Sequence, residues 1–145
     1  MQVDFYHLTR DPAGAVVPRI AGRVLGDGGR LLVTHDDEAQ LAKLDRQFWD
    51  DAPASFLPHA RDGGADDTRQ PILLSTGVVA ANGARNLLVA DGRWREAAAG
   101  FDRTFFLFDA ETLDGARGAW RALGQRAEVE RRYWKQDGGR WVQGP

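Results

Sequence analysis

The sequence predicts an α/β fold, a single three-layer α/β/α domain over residues 1–145, built around a mostly parallel, Rossmann-like sheet with a C-terminal hairpin. Two observations carry this prediction. Short β-rich runs alternate with helix-like stretches, an order that favours a parallel sheet covered on both faces. The length of 145 residues suits one domain, and the content of 43% apolar and 28% charged residues is ordinary for a globular chain.

The first strand and the first helix are predicted from the N-terminal residues. Residues 3–8 alternate between apolar and polar side chains, which is typical of a strand. Asp11 followed by Pro12 is typical of a helix N-cap and the first helical position. The helix then spans residues 13–25, where Pro18 either kinks it or delays its start.

A buried strand and a second helix follow. The apolar run at 30–34 is typical of a buried strand. Asp36 or Asp37 then caps the second helix, whose apolar residues recur at helical spacing. These apolar residues are Leu41, Leu44 and Phe48. The helix is expected to end near residues 49–53.

The second half of the chain contains four more runs typical of strands, at 55–59, 72–75, 86–89 and 101–108. A polar loop at 60–70 separates the first two of these runs. It has no apolar anchor and is the expected mobile segment. A helix over 111–123 follows the last strand, and a hairpin is predicted around Asp137-Gly138-Gly139.

Charge and composition exclude several classes of protein. The formal net charge is −2, whereas a protein that holds nucleic acid by neutralising phosphates is usually basic. We therefore expect no direct contact with nucleic acid, although Trp and Arg side chains can stack on single-stranded bases. The chain has no cysteine and no apolar run of about 18 residues, so thiolate metal sites and a membrane span are not expected. We expect a soluble, cytoplasmic protein without a cofactor.

Three histidines support one enzymatic hypothesis. His7, His35 and His59 each fall at the carboxyl end of a predicted strand, the edge at which open α/β sheets bind ligands. With nearby carboxylates, such imidazoles can hold zinc or iron and activate water, which would make the protein a small metal-dependent hydrolase. The simpler interpretation is a helix cap around His35 and hydrogen-bonded imidazoles elsewhere, with no metal and no catalytic residue.

A cationic and aromatic cluster lies on the helix predicted at 111–123. Arg117, Trp120 and Arg121 are spaced i, i+3 and i+4, so they share one helical face. Two guanidinium groups beside a large aromatic ring form a site for an aromatic group with a nearby carboxylate. The alternative is a solvated arginine face with Trp120 turned into the core.

A second aromatic set follows the second helix. It includes Trp49, Phe56 and Leu57, and part of it must belong to the core. An exposed remainder would form an apolar patch for a protein partner. Both assignments stay open from the residues alone.

A series of segments, in order along nearly the whole chain, resembles the chi subunit of bacterial DNA polymerase III. The segments are VDFY at 3–6, RLLV at 30–33, LAKLD at 41–45, FW at 48–49, SFLPH at 55–59, QPILL at 70–74, AR at 116–117, WR at 120–121 and YWKQ at 133–136. The specific feature is the ordered set, particularly Leu-Asp-x-x-x-Trp followed by Ser-Phe-Leu-Pro-His.

The resemblance implies a non-catalytic accessory subunit with a three-layer α/β fold, monomeric on its own. Chi proteins bind the acidic C-terminal tail of single-stranded DNA-binding protein, which ends in Pro-Phe with a free carboxylate. They link that protein to the clamp loader through the psi subunit, and in some bacteria a helicase shares the psi surface. The resemblance thus implies a role in lagging-strand DNA replication.

The family's functional positions match residues of this chain. Those matching the tail-binding site are Arg117, Trp120, Arg121 and Phe106. Those matching the surface for psi or a helicase are Trp49, Phe56, Leu57 and His59. Better-known members carry a lysine where this chain has Leu113, so recognition of the acidic stretch is expected to be weaker than recognition of the terminal Phe.

Overall fold

The computed structural model describes residues 1–50, 57–137 and 140–144. These residues form the strands β1 (Gln2–His7), β2 (Leu31–Thr34), β3 (His59–Arg61), β4 (Ile72–Ser75), β5 (Asn86–Val89), β6 (Arg103–Phe108), β7 (Glu130–Asp137) and β8 (Arg140–Gln143). They also form the helices α1 (Ala13–Gly26), α2 (Glu38–Asp50) and α3 (Leu113–Gly124), with short 3-10 helices at Asp67–Arg69 and Glu96–Gly100. Among the described helices, none combines the length and the apolar character needed to cross a bilayer.

The described strands belong to one sheet, in the order β3-β4-β2-β5-β6-β1-β7-β8. Every neighbouring pair is parallel except β7 and β8, which are antiparallel. Parallel neighbours need crossover connections, and α1, α2 and α3 each lie within one. The prediction of an α/β fold around a mostly parallel sheet is confirmed.

Helices cover both faces of the sheet because successive strand residues point to opposite sides. Tyr6 and Val33 join a core with the apolar residues of α1 and α2. Phe5 and Leu32 point the other way and join a core with the apolar residues of α3. The sheet therefore separates two apolar cores, which confirms the three-layer arrangement.

The start of α1 differs from the prediction. Pro12 rather than Asp11 is the N-cap, with extended backbone angles of φ −72° and ψ 163°. The Asp11 carboxylate instead accepts hydrogen bonds from Arg19 and from the side-chain amide of Gln136. Pro18 is buried inside the continuous helix, so the predicted late start is wrong. Its ring packs among the buried residues of α1, and the helix lacks the one hydrogen bond that a proline cannot donate.

The second helix begins and ends as predicted. Asp37 caps α2, because its Oδ1 accepts hydrogen bonds from the backbone N–H groups of Ala39 and Gln40 at 2.8 and 3.4 Å. The last residue of the helix is Asp50. The Asp37 carboxylate therefore satisfies two of the free N–H groups at the start of α2.

The segment after α2 differs from the predicted strand and loop. The strand expected at 55–59 lies partly outside the described residues, and β3 begins at His59, where the predicted strand ends. β3 therefore takes up the first residues of the loop expected at 60–70. Further along, the Asp67 carboxylate accepts hydrogen bonds from the N–H groups of two glycines, so part of this polar segment folds into a 3-10 turn.

The C-terminal elements are those predicted, with small shifts in their bounds. α3 begins slightly later than expected because Asp109 Oδ1 accepts hydrogen bonds from two backbone N–H groups, forming a separate turn that ends at Thr112. β7 and β8 form the predicted hairpin, in which Asp137 is paired with Arg140. The hairpin turn at Gly138-Gly139 lies outside the described residues.

Candidate binding site

α3 and the sheet enclose a cavity of about 320 Å³, which we call the α3 pocket. The residues that line it are Phe5, His7, Phe108, Leu113, Ala116, Arg117, Trp120, Arg121 and Tyr133. Most of these side chains are apolar or aromatic, and two are arginines on the exposed side of the helix. The pocket therefore combines an aromatic floor with a cationic rim.

The cationic rim comes from the helical face that the sequence predicted. Arg117, Trp120 and Arg121 all line the pocket, while Ala116 and Leu123 are buried and hold α3 against the sheet. Both arginine side chains are exposed, and neither forms a hydrogen bond or an ion pair with the residues that the structure describes. Both guanidinium groups are therefore available to a ligand.

Trp120 is half-buried and held on both sides. Its indole meets Phe5 edge-on, with 5.1 Å between ring centres. Arg131 lies over the other part of the indole, 4.2 Å from its ring centre, and donates a hydrogen bond of 2.6 Å to the Trp120 carbonyl. Trp120 therefore packs against the core and also lines the pocket.

Phe106 does not line the pocket. It is 0% exposed and packs edge-on against Phe5 with 5.2 Å between ring centres. Phe108 lines the pocket instead, because it lies two residues further along the same face of β6, nearer the carboxyl edge. Phe106 therefore supports the aromatic floor from below, and its neighbours Phe5 and Phe108 line the pocket in its place.

His7 brings a titratable group to the same pocket. Its Nδ1 lies 3.0 Å from the Tyr133 hydroxyl, and its ring stacks on Phe108 with 4.7 Å between ring centres. Burial lowers the pKa of His7, the Asp109 carboxylate opposes this effect, and the charge of Arg117 adds to it. The imidazole of His7 and the hydroxyl of Tyr133 therefore add polar groups to the sheet side of the pocket.

Of the residues matched to the psi surface, Trp49, Leu57 and His59 are described, and they lie beside the end of α2. Trp49 is 58% exposed, whereas the His59 side chain is 0% exposed. The imidazole lies between Trp49 and Phe48, at 4.8 and 4.9 Å between ring centres, and its Nδ1 contacts the Leu57 carbonyl at 2.8 Å. The buried His59 side chain thus supports this surface from inside. Phe56 lies outside the described residues.

The three histidines of the hydrolase hypothesis lie in three separate places. His7 ends β1, whereas His35 follows β2, three strands away in the sheet and so about 14 Å distant at the usual spacing. His59 is the first residue of β3, so it lies at the amino ends of the strands. Its predicted position at a carboxyl end is therefore wrong. The fold does not bring these imidazoles together on one ion.

A larger crevice of about 710 Å³ lies beside the α3 pocket at the carboxyl edge of the sheet. Within the described ranges, His35, Asp36 and Asp91 bring potential ligand atoms within 4.8 Å of one another. Asp91 is already paired with Arg95 at 2.6 Å and accepts a hydrogen bond from the backbone N–H of Asp36. His35 Nδ1 accepts a hydrogen bond from the backbone N–H of Asp37. This cluster is an internal hydrogen-bond network.

Sequence reasoning missed several residues of the α3 pocket, namely Phe5, Phe108 and Tyr133, and it placed His7 in a different role. The pairing of β1 with both β6 and β7 puts Phe5 beside Tyr133 and His7 beside Phe108. The sequence shows how apolar residues alternate within each strand. It does not show the order of the strands in the sheet, which decides which side chains become neighbours.

The fold and the α3 pocket define a small α/β protein with a cation-rimmed aromatic cavity beside its sheet. The sequence model of the family described as DNA polymerase III chi subunit, HolC, matches residues 1–130, and the chain belongs to that family. The protein is therefore a non-catalytic accessory subunit of DNA polymerase III and acts in DNA replication. None of the curated proteins compared with the chain matches it.

Proposed function

We propose that the chain binds the acidic C-terminal tail of single-stranded DNA-binding protein in the α3 pocket and links it to the clamp loader during lagging-strand synthesis. The observation that carries this proposal is the combination of an aromatic cavity with two exposed guanidinium groups. The aromatic floor suits the terminal Phe, because burial removes its apolar surface from water. Arg117 and Arg121 suit the free carboxylate beside that ring.

Leu113 changes the expected balance between the two parts of the tail. It adds an apolar side chain to the pocket where better-known members of the family carry a cation. The phenyl ring thereby gains contact surface, while the acidic residues upstream of it lose an attractive charge. We expect a complex that depends strongly on the terminal Phe and more weakly on the acidic stretch.

Fluorescence anisotropy of a labelled peptide ending in Asp-Asp-Asp-Ile-Pro-Phe tests this proposal. The same peptide without the final Phe serves as the control, and both are measured at low and high salt. We expect binding that requires the Phe and weakens with salt, because exposed charge pairs are screened. Equal curves for the two peptides, or no binding of either, would contradict the proposal.

We further propose that the surface around the end of α2 binds psi or a helicase. Trp49 supports this assignment, since a large aromatic side chain that is 58% exposed is typical of a protein interface. Its indole packs on the buried His59, which keeps the ring in place without covering it. Leu57 is half-buried, and its carbonyl contacts the His59 ring. Phe56 is assigned to this surface by the resemblance to chi proteins alone.

Trp49→Ala is expected to abolish co-elution with purified psi or with the helicase partner, because aromatic residues dominate interface energies. Tail binding should persist in this variant, since Trp49 does not line the α3 pocket. Val79→Ala is the matched control, because Val79 is also a strongly exposed apolar residue, at 79%. An intact complex in the Trp49 variant would contradict the assignment, and loss of tail binding as well would indicate unfolding.

We also propose that residues 1–145 form one chi-type domain that acts in the cytoplasm. The family match ends at residue 130, the first residue of β7. β7 nevertheless pairs with β1, and β8 pairs with β7. Tyr133 of β7 lines the α3 pocket, which supports assigning the C-terminal hairpin to the same domain.

A further inference from the structure

The α3 pocket contains a polar pair that the proposed function does not yet use. His7 and Tyr133 both line the pocket, and His7 Nδ1 lies 3.0 Å from the Tyr133 hydroxyl. The imidazole also stacks on Phe108 with an interplanar angle of 15°. These two contacts fix the ring in one orientation on the sheet side of the pocket.

The hydrogen bond with Tyr133 decides which nitrogen of His7 meets a ligand. Because Nδ1 contacts the tyrosine hydroxyl, Nε2 is the nitrogen left for the pocket. When the hydroxyl donates to Nδ1, the neutral ring carries its hydrogen on Nε2 and can donate it. The protonated ring donates from both nitrogens and also adds a positive charge, so an anionic ligand distinguishes the two states.

Charged groups surround His7 from each element packed against it. They are Arg117 and Arg121 on α3, Asp109 after β6, and Lys135, which is paired with His7 in the β1–β7 ladder. Burial lowers the pKa of His7, Asp109 opposes this, and Arg117 reinforces it. An empty pocket therefore favours the neutral imidazole near neutral pH.

We propose that His7 is a third anion-binding residue of the α3 pocket and takes up a proton when a peptide carboxylate binds there. The inference rests on the proposed capture of an acidic peptide. A carboxylate near Nε2 favours the protonated imidazole directly. It also neutralises the charge of Arg117, which otherwise disfavours protonation of His7. Binding and protonation then support each other, so affinity rises as the pH falls through the range in which His7 titrates in the complex.

The first test measures binding of an acetylated, labelled peptide ending in Asp-Asp-Asp-Ile-Pro-Phe at about pH 8 and about pH 5.5, a range in which its carboxylates stay ionised. We expect affinity to be about three- to tenfold higher at the lower pH. A modest rise in the pKa of one histidine on binding produces a change of this size. His7→Gln should bind with nearly equal affinity at both pH values. His35→Gln, which changes a histidine outside the α3 pocket, is the matched control and should keep the pH dependence.

The second test needs no variant. NMR follows the Cε1 proton of His7 against pH, with and without the peptide, and its titration midpoint should rise on binding. An amide-terminated peptide should raise it less, because that peptide lacks the terminal carboxylate. Equal affinity at both pH values with an unmoved midpoint would overturn this inference and leave the proposed function standing. No binding at either pH would overturn both.

Discussion

Replacing Arg117 with alanine is expected to weaken binding of the acidic peptide by about ten- to a hundredfold, which corresponds to loss of a charged hydrogen bond of about 1.5–3 kcal/mol. Arg117 lines the α3 pocket and is exposed, and no described residue forms a hydrogen bond or ion pair with it. Its removal therefore deprives the ligand of a partner without leaving a buried group unpaired. The midpoint of thermal unfolding should stay nearly unchanged.

A second substitution at this position separates charge from geometry, and a control variant removes an arginine outside the pocket. Arg117→Lys keeps the charge but loses the planar fork that binds a carboxylate through two hydrogen bonds, so an intermediate affinity is expected. Arg46→Ala removes another exposed helical arginine, on α2 and outside the pocket, and should bind the peptide as the unchanged protein does. The three titrations are compared by anisotropy at one salt concentration. Wild-type affinity in Arg117→Ala would contradict the proposed role of the pocket.

Local sequence patterns predicted the features that depend on neighbours in the chain. The sequence predicted Asp36 or Asp37 as the cap of α2, and the structure shows that Asp37 is the cap. The shared face of Arg117, Trp120 and Arg121 follows from helical spacing alone, and all three line one cavity. The buried strands were visible as short apolar runs, because parallel strands are covered on both faces.

The features that differed from prediction depend on contacts between distant segments. Phe106 and Phe108 lie on the same face of β6, and the register with β1 decides which of them reaches the pocket. Asp11 does not cap α1 because its carboxylate bonds Gln136, 125 positions away along the chain. His59 supports a surface from inside because the rings of α2 cover it. No local pattern carries this information.

Asp91→Asn is expected to lower the free energy of unfolding by about 2–3 kcal/mol, since breaking a buried ion pair leaves its partner without compensation. The Asp91 side chain is 4% exposed and accepts two hydrogen bonds from Arg95, at 2.6 and 2.9 Å. It also accepts hydrogen bonds from the backbone N–H groups of Asp36 and Arg93, so it ties its own loop to the segment that follows β2. The Arg95 side chain is 19% exposed, so water can still solvate its charge, and this limits the loss of unfolding free energy.

The matched control is Asp102→Asn. Asp102 forms the same two-bond pair with Arg85, at 2.6 and 2.8 Å, but the two side chains are 61% and 73% exposed. Water screens this pair, so little change in stability is expected from its loss. Urea unfolding of both variants beside the unchanged protein measures the contrast. Equal effects would contradict the view that burial decides the contribution of such pairs.

The Asp91–Arg95 pair also predicts how stability depends on pH. Burial opposes ionisation of Asp91, but the hydrogen bonds and charge of Arg95 outweigh it and lower the pKa of the carboxyl below its ordinary value. A carboxyl with a lower pKa in the folded chain stabilises it above the unfolded pKa, and this contribution is lost as the pH falls through the folded pKa. The difference in unfolding free energy between the unchanged protein and Asp91→Asn should therefore stay constant from neutral pH to about pH 4 and narrow below it. A difference that persists undiminished in stronger acid would mean that the shape of the side chain, and not its charge, holds these segments together.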